Sequence, residues 1–398
     1  MRALTIRSLT GLLLSVGLNA QADTTIETRA LTLCLTQVAS GLEQPWSLAP
    51  LPDGRFLVSE RSGQLKLVSA DGDATPVSGV PEVSTRGQGG LLDIALHPGF
   101  GSDETDAGAH DWVYFTWSRP GDTGSATSLS RARLEQARLV DLEHLFTQNR
   151  FSAAGRHYGS RLAWLDDGTL LMSIGDRGMD PERAQDGSDH AGSFLRLTAE
   201  GEPAADNPFV DDDSIADAIF TLGNRNPQGL VVAEDGTAWS TEHGPRTGDE
   251  FNRLTAGENY GWPTVSLGRD YATNQPIGLD SAPGMQDPLH VFEGRFAPSG
   301  LAQVTSAAFG AWQGDFLAGG LSSERLVRLT LKARDEVARE VVLDGEIGRI
   351  RDVRQADDGA IYLLNDSPTG SLFRLLPLNP GQQATASCAA TGPKTKTN

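Results

Sequence analysis

Apolar residues in this chain recur in strand-length runs that alternate with polar positions and break at Asp-Gly and similar turns. A period of two argues for antiparallel strands rather than helices. The unit is plainest in LAPLPDGRFLVSERSGQLKLV (48–68): a strand, a Pro-Asp-Gly turn, a second strand, a polar turn with Gly, and a third strand. The same grammar returns at 94–134, 162–201, 230–257, 307–331 and 353–377. Six copies predict an all-β fold, a six-bladed β-propeller of four-stranded antiparallel blades. A parallel β-helix would use much shorter repeats, and a pair of sandwiches would not repeat one turn pattern six times. Insertions at 101–111, 180–190, 203–217 and 266–289 are expected to connect blades and to build one face.

The chain ends add a compartment. Arg2 and Arg7, the apolar run Leu12 to Leu18 and the small-x-small tripeptide Ala20-Gln21-Ala22 have the form of a secretory signal over residues 1–22. The propeller is expected over 23–380, with a tail over 381–398, in a periplasmic or secreted protein. The two cysteines, Cys34 and Cys388, lie near opposite ends of the mature chain. In an oxidising compartment they predict a disulfide that pins the ring closure and contributes about 2–5 kcal/mol; two free thiols is the alternative. A formal charge of −19 disfavours nucleic acid and anionic lipid as partners. It serves a solubilising surface equally well.

Candidate chemistry clusters in the middle of the chain. His157 precedes a strand and Asp176 ends the next one, so the hairpin returns a carboxylate beside an imidazole, the makings of a general base. Arg225, Asn226 and Gln228 follow in GNRNPQGL, where Asn-Pro is also an ordinary turn signal. EHGPRTGDE joins Glu242, Asp249 and Glu250 to the tight turn Gly244-Pro245, oxygen donors that suit Ca²⁺ or an acidic surface turn. In GRIRDV, Arg349 and Arg351 stand two apart and face one side of the sheet. Such a pair suits a multiply carboxylated ligand, or a salt-bridged blade edge. Gln88 lies in a glycine-flanked turn and could offer an amide to the same centre.

The motifs GLEQPWSLAPLPDGRFLVSERSG, RGQGGLLDIALHPGF, HYGSRLAW, SIGDRG, GNRNPQGL, EHGPRTGDEFN, NYGWP and GRIRDV occur in this order between Gly41 and Leu376. Together they resemble the soluble PQQ-dependent aldose sugar dehydrogenase family (glucose/sorbosone dehydrogenase-like), six-bladed propellers of the periplasm. The resemblance implies that His157 takes the proton of a sugar's anomeric hydroxyl, that Asp176 orients it, and that Arg225 stabilises charge on the quinone. It implies PQQ contacts from Gln88, Asn226, Arg349 and Arg351. It further implies one Ca²⁺ on carbonyls of Gly244 and Pro245, and a second on Glu250 and the carbonyl of Tyr260. The chain departs from the pattern at Ser322, where relatives carry a cofactor-contacting lysine; Arg325 or another cation would have to replace it.

The function expected is oxidation of aldoses to lactones with hydride passing to PQQ. The partners are an aldose and an external electron acceptor, without nucleic acid or membrane insertion, in a monomer or homodimer. A Ca²⁺-dependent lactonase-type hydrolase on the same scaffold is one alternative, against which GRIRDV argues. A non-catalytic secreted binding propeller is another, which Ser322 keeps open. No Gly-x-Gly-x-x-Gly follows a strand and opens a helix, which disfavours a nicotinamide enzyme.

Overall fold

The computed structural model describes residues 23–102 and 110–378. The expected signal segment, the tail with Cys388 and most of the 101–111 insertion lie outside these residues.

Six antiparallel sheets form the blades of a six-bladed propeller. Blade 1 comprises Pro45–Pro50, Phe56–Glu60, Leu65–Val68 and Ala74–Val77; blade 2 comprises Leu91–Leu96, Trp112–Gly121, Gly124–Glu135 and Arg138–Thr147. Blade 3 is built from Leu162–Trp164, Leu170–Ile174, Ser193–Leu197 and Ile219–Thr221, and blade 4 from Pro227–Val232, Ala238–Glu242, Glu250–Leu254 and His290–Val291. Blade 5 has Pro298–Gln303, Phe316–Gly320, Arg325–Leu331 and Val337–Asp344. Blade 6 takes Ile350–Gln355, Ile361–Asn365 and Gly370–Pro377 from the end of the chain and Thr32–Leu42 and Thr24–Glu27 from its beginning. The ring is therefore closed by hydrogen bonds between the two ends, with Cys34 opposite Leu376 in that ladder.

Each blade packs against two neighbours, so both faces of its central strands must be apolar. Phe56-Leu57-Val58 shows how: Leu57 joins the core between blades 1 and 2, while Phe56 and Val58 join the core between blades 6 and 1. In blade 3, Leu171 packs toward blade 4, and Leu170 and Met172 toward blade 2. Six such apolar clusters fill the six seams. Blades 1, 3, 4 and 6 share one turn between their first two strands, with Gly54, Gly168, Gly236 and Gly359 at φ of 82°, 81°, 81° and 80°. Only glycine takes that conformation without strain, which is why Asp-Gly marks the repeat.

Two sequence expectations are corrected. The fifth unit does not begin at Ala307, which opens a 3₁₀ segment (Ala307–Trp312); its inner strand is Pro298–Gln303. A Cβ on Gly300 would lie 2.3 Å from the Val353 backbone nitrogen, so this strand carries glycine at its closest approach to blade 6 and lacks the alternating apolar pattern. Nor do the long insertions connect blades. Residues 101–111 join the first and second strands of blade 2, 180–190 the second and third of blade 3, and 203–217 and 266–289 the third and fourth of blades 3 and 4. Strand direction alternates, so these insertions emerge at both ends of the ring rather than at one.

Near the axis the inner strands meet through charge. The Arg161 guanidinium donates to Asp93 at 3.2 Å, to Asp352 at 2.7 Å and to the Gln228 carbonyl at 2.7 Å. Arg354 donates to Asp93 at 2.6 Å and to Asp352 at 3.1 Å. The two carboxylates also accept the backbone N–H groups of Leu162 and Leu48, and Asp93 accepts the Ser47 hydroxyl. Blades 1, 2, 3, 4 and 6 are thereby tied to one knot.

Leu57 is fully buried in a seam. Leu57→Ala is expected to lower the unfolding free energy by about 2–5 kcal/mol, read from denaturant midpoints. An unchanged midpoint would contradict the seam assignment.

Candidate active site

Strand alternation decides which residues meet. Connections between blades, and those between second and third strands, emerge at the same end of the ring. His157, Arg225, Asn226 and Arg349 lie on connections of the first kind; Asp176, His243, Gly244 and Asp366 lie on connections of the second. At that end is a cavity of ≈ 350 Å³. Its walls include Gln88, Asn226, Gly244, Arg349 and Arg351, all expected from the sequence, together with Ser322.

His157 Nδ1–H donates to Asp176 Oδ1 at 2.6 Å, leaving Nε2 as the free base. Gln88 Oε1 accepts the backbone N–H of His157 at 2.7 Å and holds that residue at a φ of 53°. Asp176 is itself positioned by Trp262 Nε1–H at 2.8 Å and the Gly178 N–H at 2.7 Å. Burial depresses the imidazole pKa; the Asp176 contact opposes that shift and Arg225 reinforces it, with a net lowering. Burial works against ionising Asp176, but the His157 hydrogen bond and the nearby positive charge of Arg225 hold its carboxyl below the usual range. The result is a neutral imidazole braced by a carboxylate.

Arg225 donates to the carbonyls of His243 and Gly244 at 3.0 and 3.2 Å and lies 5.3 Å from the Trp262 ring centre. Its Nε–H is buried without a partner among the described residues. Asn226 Oδ1 accepts the Gly159 N–H at 3.3 Å. Arg349 and Arg351 both bond Asp366 Oδ2, at 2.6 and 3.1 Å, so they do face one way and share one counter-charge. Arg325 is turned to Asp344 at 2.7 Å and is absent from the cavity wall, so it does not replace a cation at Ser322.

The oxygen-rich turn behaves in two ways. The Gly244 carbonyl accepts Arg225, and the Pro245 carbonyl accepts the N–H groups of Thr247 and Arg269 at 2.7 and 2.8 Å. As arranged, the Gly244 carbonyl faces a guanidinium and the Pro245 carbonyl already accepts two donors, a setting that does not fit a divalent cation. Glu242 and Glu250 are different. Burial pushes Glu242 up to about 7, while burial and the proximity of Glu242 and Asp249 push Glu250 well above the carboxylate range. Asn252 donates to both and keeps its own buried Oδ1 without a partner among the described residues. Crowded acids with a spare amide oxygen offer donors of the kind a hard cation takes, although no group of three or more His, Cys, Asp or Glu side chains that could hold a metal occurs among the described residues. Tyr260, whose backbone carbonyl was expected beside Glu250, is buried with its hydroxyl on the Arg253 carbonyl.

Several wall residues escaped the sequence reading. His243 Nε2–H donates to the Pro298 carbonyl at 2.6 Å, and burial, reinforced by Arg225, lowers its pKa to about 3. Trp46 lies between the cavity and the axial knot, 4.3 Å from the Arg161 guanidinium. Asp249, Asp366, Arg61, Arg246, Tyr271 and Arg295 also line the cavity. His243 and Trp262 sit inside quoted motifs, EHGPRTGDEFN and NYGWP, which was the available signal.

The family model for glucose/sorbosone dehydrogenases matches residues 42–374. The chain belongs to the glucose/sorbosone dehydrogenase family. It is 40% identical over 360 residues to the uncharacterised protein slr1608 of Synechocystis, covering 85% of each chain. It is 34% identical over 346 residues to the aldose sugar dehydrogenase YliI of Escherichia coli, covering 85% of this chain and 91% of that one. Among solved structures, the PQQ-bound aldose sugar dehydrogenase of Streptomyces coelicolor matches with a TM-score of 0.70 and 29% identity, over 86% of this chain and 98% of that one. Family membership places this propeller among oxidoreductases.

The acid pair yields a test. Without a cation, Glu250→Gln removes like-charge repulsion and should leave the melting temperature in EDTA equal to or above that of the wild type. Millimolar calcium should raise the wild-type melting temperature near neutral pH and raise that of Glu250→Gln far less. A wild type indifferent to calcium would contradict a cation at this pair.

Proposed function

We propose that this chain oxidises the anomeric hydroxyl of aldoses to lactones, with PQQ as the bound oxidant, His157 as the general base and Asp176 as its brace. The observation that carries the reading is a cation-rich mouth beside a base, in a chain whose net charge is −19. Five arginines, Arg61, Arg246, Arg295, Arg349 and Arg351, line the cavity against two carboxylates, Asp249 and Asp366. An excess of three positive charges suits a ligand bearing three carboxylates, and guanidinium forks suit carboxylate geometry. The lactonase and binding-module readings give no reason for that excess.

PQQ, when bound, supplies an electrophilic quinone that accepts hydride. The protein supplies everything else. His157 Nε2 takes the hydroxyl proton as the C–H bond breaks, and Asp176 stabilises the imidazolium that forms. Arg225, behind the cavity wall at the His243 and Gly244 carbonyls, supplies fixed positive charge and keeps an unpaired Nε–H near the base, suited to stabilising developing negative charge. Gln88 sets the base by holding its backbone, and Asn226 ties the blade 3 and blade 4 connections together at Gly159. Calcium is assigned to Glu242 and Glu250 in a structural role. The proposed compartment is the periplasm or the exterior. The described residues contain no helix long and apolar enough to cross a membrane.

His157→Ala should lower kcat by about 10²–10⁴-fold while PQQ affinity stays near that of the wild type. Because the base must be neutral, the acid limb of the wild-type kcat/KM profile should fall at a pKa below 6.5. Full turnover by the variant would exclude His157 as the base, and lost PQQ binding would make it a ligand instead.

A further inference from the structure

The five arginines of the mouth are not equivalent. Arg349 and Arg351 share Asp366; Arg246 donates to the Tyr271 carbonyl, and Arg61 to the Gly87 carbonyl and the Gln44 amide. Arg295 has no ion-pair or hydrogen-bond partner among the described residues. It is exposed, yet its position is fixed by its neighbours. Leu321 N–H donates to the Ala297 carbonyl at 2.8 Å and Ser323 N–H to the Phe296 carbonyl at 3.3 Å. The segment that follows Arg295 therefore lies along Leu321–Ser323, and Arg295 and Ser322 line the same wall. Phe296 anchors this segment by stacking on Phe292, with ring centres 4.2 Å apart.

We propose that Arg295 is a ligand-anchoring residue, whose guanidinium takes a carboxylate of the bound quinone at the wall formed by Ser322. This rests on the functional reading above and deepens it. A guanidinium without a partner, tethered beside a hydroxyl at the rim of an anion-suited cavity, keeps all its donors for the ligand. Its paired neighbours must instead share theirs with Asp366 or with main-chain carbonyls. Blade 5 would thus contribute its cation from the connection that enters the blade, where Ser322, on the connection that leaves the second strand, has none to give.

The test is titration of PQQ into the calcium-loaded full-length protein, followed by calorimetry, for wild type and three variants. Arg295→Ala should weaken binding at least about tenfold with no change in melting temperature, since the side chain is exposed and unpaired. Adding Ser322→Lys to Arg295→Ala should recover most of that loss by returning a cation to the same wall. Arg325→Ala, directed at the arginine paired with Asp344, should bind as the wild type does. Wild-type binding with Arg295→Ala within twofold of it would overturn the inference and leave the dehydrogenase reading standing. A wild type that does not bind PQQ would overturn both.

Discussion

Four charged side chains on the propeller axis hold the rest of the molecule in register. Asp93 and Asp352 are fully buried, Arg161 is 1% exposed, and Arg354 bridges the same two carboxylates. Burial alone would raise the pKa of Asp93, but Arg354 and Arg161 hold it below the usual range. Isolating any one of these charges would cost about 3–5 kcal/mol, because its partner would be left buried and unpaired. Such a knot contributes more to geometry than to net stability: each carboxylate also accepts a backbone N–H of an inner strand, so rotation of one blade breaks bonds to others. Blade 5 joins by approach rather than by charge, with Gly300 against Asp352 and Val353.

The site inherits its precision from this arrangement. Trp46 rests on the Arg161 guanidinium and presents its ring to the cavity, and the same guanidinium donates to the Arg351 carbonyl at 3.1 Å. Position at the mouth is thus transmitted directly from the axis. Further out, the Asp176–Trp262 and Arg225–Trp262 contacts lock the His157–Asp176 pair and Arg225 to one indole. That indole belongs to the long connection between the third and fourth strands of blade 4, which leaves the opposite end of the ring, folds back to the mouth and also contributes Tyr271. A chain that is strongly acidic overall gathers five arginines at this end, where an anionic ligand would otherwise be repelled.

What could be read without coordinates follows sequence distance. His157 and Asp176 are joined by a hairpin, so period-two alternation alone places them together. The six repeats follow from the turn pattern, since each Asp-Gly turn has a local cause. The insertions 203–217 and 266–289 were misplaced because the fourth strands that follow them, Ile219–Thr221 and His290–Val291, are only three and two residues long, too short to carry a pattern. Miscounting strands reverses the end at which a loop emerges. Trp262 beside Asp176 and the Arg161 knot join residues from different blades, and no local signal specifies such pairings; Asp366 instead returns to the arginine pair on the first hairpin of blade 6, the same local relation as Asp176 to His157. Ser322 was legible as a missing cation; Arg295 was not, because the link between them is a backbone contact between separate segments.

The account stands on one claim, that the arginine-lined mouth holds PQQ beside the His157 base. The most direct measurement reconstitutes the purified protein with PQQ and calcium and follows dye reduction with a panel of aldoses. The account predicts reduction that needs both an aldose and PQQ and saturates with each. Failure of PQQ to bind at micromolar concentration, with the protein folded and calcium present, would contradict it.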